Sequence, residues 1–149
     1  MMDLVSLLGY GGMFAAMALS AIGSVIGCAI AGQAAIGAMV DSEGGYGKFI
    51  GLSVIPSSQV IYGIVIMFSL NVPLTPENAG AIFMIGLFAG IAQLTAGFYQ
   101  GRCCAAAIQA AKAKPEIFGI SIAPAAIVEG FAVFVLVFAI VLINQVTGG

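Results

Sequence analysis

From Ile117 to Val146 the chain reads IFGISIAPAAIVEGFAVFVLVFAIVLINQV, thirty residues carrying a single charge, Glu129, with more than ten residues of the run on either side of it. A helix crosses the hydrocarbon of a bilayer in about 20 predominantly apolar residues, so this run predicts a membrane-spanning helix with an acid at mid-depth. Upstream lies the polar turn Lys112-Ala113-Lys114-Pro115-Glu116, and before it a second apolar run from about Ala79 to Ala111, with Arg102 towards its end. A third run extends from about Phe49 to Leu70 and a fourth from about Leu7 to Met39. They are separated by a loop holding Asp41, Glu43 and Lys48, while Pro73, Pro76 and Glu77 separate the two halves of the chain. The runs are continuous rather than alternating, which excludes lipid-facing strands, and an open sheet cannot satisfy its backbone in lipid. The expectation is an all-α membrane protein of four transmembrane helices arranged as two helical hairpins, residues 1–72 and 73–149.

Composition agrees. The chain is 62% hydrophobic and 7% charged, against about 25% charged for a soluble domain, and its mean hydropathy is +1.18. These lengths leave no room for a soluble domain beside the membrane part. The formal net charge of −2 has scattered carriers, so no nucleic-acid surface is implied. Histidine is absent, which removes the commonest general base and transition-metal ligand. Cys28, Cys103 and Cys104 sit in apolar runs at no zinc spacing and read as small packing residues, with lipidation the alternative. Met1-Met2-Asp3 offers no basic region ahead of the first run, so that helix is expected to be retained. Lys48, Arg102, Lys112 and Lys114 cluster around the two hairpin turns, so the positive-inside rule puts those loops in the cytoplasm and both termini outside.

The halves resemble each other. Ser53-Val54-Ile55-Pro56-Ser57-Ser58 pairs with Ser121-Ile122-Ala123-Pro124-Ala125-Ala126 at an offset of 68, and Ser20 to Ser24 pairs with Ala89 to Gln93 at 69. An even number of spans separates the copies, so they run in the same direction, unlike the inverted repeats of many transporters. At an offset of 68 the acid's counterpart is Ile61, leaving only the second hairpin with a carboxylate. The first helix carries Gly23, Gly27, Ala31 and Ala35 at four-residue intervals. The third carries Gly86 and Gly90, then Gly97, Gly101 and Ala105. Such stripes let helix backbones approach closely in lipid, so these two helices are expected to pack together and leave the bulky second and fourth facing lipid.

An ionised acid at the bilayer centre costs on the order of 2.5–3.5 kcal/mol or more, so Glu129 reads as functional. In the second helix Ser58, Gln59 and Tyr62 share a face. The third supplies Gln93, with Thr95 nearby. Pro56 lacks an N–H and frees the carbonyl of Leu52, and the distortion exposes that of Ile55. One carboxylate, amide oxygens, a hydroxyl and a backbone carbonyl would suit a hard monovalent cation, because the occupied site is neutral.

Three stretches carry a resemblance to a known family: Pro56-Ser57-Ser58-Gln59-Val60-Ile61-Tyr62-Gly63, Gly90-Ile91-Ala92-Gln93 and Val128-Glu129. They resemble the V/A-type rotary ATPase proteolipid, the duplicated c-type chain also called subunit K, over nearly the whole chain. The resemblance implies a ring of identical chains turning against a membrane stator subunit that supplies an Arg, with central-stalk subunits transmitting rotation to a soluble head. It implies Glu129 as the carrier of Na⁺ or H⁺, with Gln93, Gln59, Ser58 and the Ile55 carbonyl as further ligands and Tyr62 as a supporting hydrogen bond. The family's usual Thr and Leu are here Ser58 and Ile55. No cofactor is implied, and the lack of a phosphate-binding loop implies a non-catalytic subunit. A prokaryotic inner-membrane protein is expected. The alternative is a small four-helix cation-coupled antiporter, whose acid would lie in the first helix.

Overall fold

The structure, a computed structural model, describes residues 3–148. Among them are four helices long and apolar enough to cross a membrane: α1 (Leu4–Val40), α2 (Tyr46–Ser69), α3 (Ala79–Ala113) and α4 (Pro115–Thr147). Each expected span is present, within a few residues of its expected ends. At 37 and 35 residues, α1 and α3 are each more than about 50 Å long and project past a hydrocarbon layer of about 30 Å.

Local chemistry sets the ends. Asp3 caps α1 by accepting from the Ser6 N–H at 2.8 Å, which holds its carboxyl below the ordinary aspartate range. Gly45 opens α2 and Gly148 closes α4, both at positive φ (75° and 73°). Both hairpin turns lie at the same end of the bundle, where Lys112 of α3 and Asp41 beyond α1 form an ion pair at 2.5 Å.

The small-residue stripes do what their spacing predicts. A Cβ on Gly97 would lie 2.6 Å from the carbonyl carbon of Gly23, and one on Gly12 would lie 2.5 Å from the Cα of Phe83. Thus α1 and α3 meet backbone to backbone, where only glycine fits. Towards the hairpin turns the seam continues through Ala31, Ala35, Ala38, Cys104, Ala107 and Ile108, all buried. The bulky side chains of α4, including Ile127, Phe131, Phe134 and Phe138, point outward and are about 60% exposed, as expected of a lipid-facing helix.

Both outer helices are broken near Pro. In α2, Ile55–Ser57 form one 3₁₀ turn between Tyr46–Val54 and Ser58–Ser69. The buried Pro56 ring packs at Gly27, whose Cβ would come within 2.7 Å of it. Just past the break, the hydroxyl of Ser24 on α1 accepts from the Val60 N–H at 3.0 Å. In α4, Pro115–Ile117 form a 3₁₀ turn, followed by Phe118–Ser121 and the long segment Ala123–Thr147 with Pro124 in its first turn.

Candidate functional site: a four-donor carboxylate cage

Glu129 projects from α4 towards α2 and α3. Its Oε2 accepts from Ser58 Oγ at 2.8 Å, Gln59 Nε2 at 3.2 Å and Gln100 Nε2 at 2.7 Å. Its Oε1 accepts from the Tyr62 hydroxyl. A carboxylate offers about four lone-pair positions, two on each oxygen; here three donors crowd Oε2 and one meets Oε1. Three come from α2, where Ser58, Gln59 and Tyr62 fall on one face past the Pro56 break. Ser58 Oγ also lies 3.2 Å from the Ile55 carbonyl, which the 3₁₀ turn brings to the edge of the same cluster.

Gln93 is not among these groups, and Gln100 is. The Gln93 amide, fully buried, donates instead to the Ala132 carbonyl at 2.8 Å. Gln100 lies seven residues further along α3, two turns on the same face, and besides Glu129 it reaches the Ala125 carbonyl at 3.2 Å. Gln93–Ala132 and Gln100–Ala125 are thus two rungs between antiparallel helices, and they bracket Glu129. The signal for Gln100 was depth: it lies 14 residues before Lys114 and Glu129 lies 15 after it, so both are equally far from the turn. Gln93 lies about 10 Å further from it.

Three amide oxygens, Gln59 Oε1, Gln93 Oε1 and Gln100 Oε1, are buried without a hydrogen-bond partner among the described residues. An unpaired buried acceptor costs about 1–3 kcal/mol, so these oxygens are free to meet a donor or a cation. The chemistry of the set is all oxygen and hard: a carboxylate, a hydroxyl, two amides that can turn their oxygens inward, and a backbone carbonyl.

Comparison with known proteins decides the family. The ATP synthase C-subunit family matches the chain twice, over residues 11–70 and 83–142. This chain belongs to that family. It is a tandem duplicate, a c/K proteolipid, and thus a rotor-ring subunit of a rotary ATPase rather than an antiporter. It is similar to the A-type ATP synthase subunit K of Methanocaldococcus jannaschii, 38% identical over 126 residues, and covers 57% of that protein's length with 83% of its own. It is also similar to the V-type sodium ATPase subunit K of Enterococcus hirae, 34% identical over 161 aligned positions that cover 95% of this chain and 99% of that one. The two family matches are equally long and begin 72 residues apart, one helical turn more than the 68 obtained by pairing the prolines. Read without gaps, an offset of 72 puts Ser57 opposite Glu129 in place of Ile61, at the depth where Ser58 meets the acid.

Proposed function

We propose that Glu129 binds one monovalent cation, Na⁺ in preference to H⁺, and carries it as a neutral pair through the membrane while the ring turns. The observation that carries this reading is the convergence of Ser58, Gln59, Tyr62 and Gln100 on both oxygens of Glu129. A proton needs one oxygen; a hydroxyl, two amides and a nearby carbonyl around the acid match the several oxygens that replace a metal ion's water. The similarity to a sodium ATPase subunit supports the same choice.

In this mechanism Gln59 and Gln100 turn their oxygens to the cation, Ser58 Oγ and the Ile55 carbonyl complete its shell, and Tyr62 holds Oε1 in place. Gln93 keeps α4 seated on α3 and is not a ligand. The neutral, hydrogen-bonded pair removes the charge that otherwise opposes passage past lipid. At the stator subunit an arginine displaces the cation, which leaves on one side of the membrane while another arrives from the opposite side. The chain has no catalytic role: hydrolysis or synthesis of ATP belongs to a separate head, reached through the central stalk. The hairpin turns, with three lysines, face the cytoplasm of a prokaryotic cell and the termini face outward. Residues 1–72 and 73–149 are the two hairpins, and only the second has a carrier acid.

Carbodiimide modification of Glu129 in purified rings tests the reading. Na⁺ is expected to slow the reaction in a saturable, pH-dependent way. Labelling that rises on acidification and is not slowed by Na⁺ at any pH would leave H⁺ as the cargo.

A further inference from the structure

Between α3 and α4 an open apolar groove runs from Met84 and Phe88 to Thr95 and Tyr99. It consists of two hollows of about 620 and 460 Å³ that share Ala92, Phe131 and Val135. The duplication identifies what fits it. Inside the chain, the seam between α1 and α3 brings Gly12 to Gly86, Gly23 to Gly97 and Gly27 to Gly101. The partners in each pair are 74 residues apart, so residues separated by about that number lie at one depth.

The two family matches begin 72 residues apart. That is about twenty helical turns, so an offset of 72 keeps the face, and it keeps the depth to within about 3 Å. It carries Gly12, Gly23 and Gly27 of α1 onto Met84, Thr95 and Tyr99 of α3, all in the groove. It carries Gly86, Gly97 and Gly101 of α3 back onto Phe14, Val25 and Ala29 of α1. Each of these last three lies two residues after a seam glycine of α1, about 200° round the helix, and so faces away from α3. All six counterparts of the buried seam are exposed.

Copies arranged head to tail close into a ring only when one patch of the chain fits a different patch. We propose that the groove of one copy receives α1 of the next, with Phe14 against Met84, Val25 against Thr95 and Ala29 against Tyr99. This contact continues the internal seam in the same register. None of its six residues is glycine, so the two helices interlock side chains at the ordinary axial separation of about 8–10 Å instead of meeting backbone to backbone. The wall of the ring then alternates tight seams within copies and wider seams between them. On the outer side Val128 and Phe131 of α4 flank the seated helix. The inference rests on the ring assembly and not on the cargo of Glu129.

Disulfide trapping in assembled rings tests it. Cys28, Cys103 and Cys104 are replaced by Ala, and Val25→Cys is combined with Thr95→Cys. Within one chain these two positions face away from each other, so oxidation is expected to join different copies and give a ladder of multimers on denaturing gels. Phe14→Cys with Met84→Cys should do the same. Phe14→Cys with Thr95→Cys sets the thiols about 16 Å apart in depth, beyond the reach of a disulfide, and should leave monomers. Monomers from both matched pairs in rings intact on native gels, or a ladder from the mismatched pair, overturn the proposal. So does a product that stops at dimers, the mark of a two-fold contact. Wild-type protein gives a second readout that needs no variant. A lipid-soluble carbene reagent should label Val25 and Tyr99 in detergent-dissociated monomers and lose both in rings, while Phe68, exposed on α2, is labelled in both. Labelling of Val25 and Tyr99 that is equal in rings and monomers overturns the proposal even where the cysteine variants do not assemble. Carbodiimide labelling of Glu129 on the same rings reports the carrier role separately, so either reading can fail alone.

Discussion

Gln100 and Gln93 are the same residue type, equally buried, on one face of one helix, and only Gln100 touches Glu129. Replacing each by Met keeps the volume and removes the amide. Gln100→Met takes away a hydrogen bond of 2.7 Å to a carboxylate and, with Na⁺ bound, a cation ligand. A hydrogen bond to a charged group is worth about 1.5–3 kcal/mol, so Na⁺ affinity is expected to fall about 10- to 100-fold. Gln93→Met removes a bond of 2.8 Å to a backbone carbonyl that is neutral and is not a ligand. A neutral bond contributes about 0.5–1.5 kcal/mol, and the loss should appear in the thermal stability of the ring, with Na⁺ affinity within about threefold of wild type. The assay is the Na⁺ concentration that halves the rate of carbodiimide labelling at Glu129. Equal weakening by both substitutions, or a larger effect at Gln93, would refute the assignment of ligand and clamp.

Tyr62→Phe leaves the aromatic ring in place and removes the hydroxyl from Oε1, so the half-protecting Na⁺ concentration should rise about tenfold, as for a lost hydrogen bond to a charge. Gly97→Leu forces a side chain into the backbone of Gly23 and Ser24, an overpacking of about 1–3 kcal/mol or more, and should abolish rings on native gels. Gly119→Ala, where an added Cβ meets nothing within 4 Å, should assemble normally. The Asp3 cap is ionised at neutral pH, and its carboxyl is held below the ordinary aspartate value. Its contribution is therefore present above the unfolded pKa and lost as pH falls through the lowered one, seen as a falling protection factor of the Ser6 amide proton, its exchange being compared with the intrinsic rate at each pH.

The spans were legible because lipid demands long apolar runs, and Glu129 because an acid in such a run is costly. Ser58, Gln59 and Tyr62 were legible because three- and four-residue spacing fixes a shared face. Depth was harder. A helical pattern nearly repeats after four or seven residues, so a slip of that size keeps the face while moving the residue about 6 or 10 Å along the axis. Gln93 and Gln100 differ by such a slip, and so do the offsets of 68 and 72 between the hairpins. Distance from the Lys114 turn, which both helices share, separates them.

Cation transport by complexes bearing Glu129→Gln, reconstituted in sealed vesicles, addresses the central claim most directly. The amide keeps the size of the carboxyl, so rings should still form. The account predicts that ²²Na⁺ binding and ATP-driven cation uptake are both lost. Uptake at the wild-type rate by the Gln variant would contradict it.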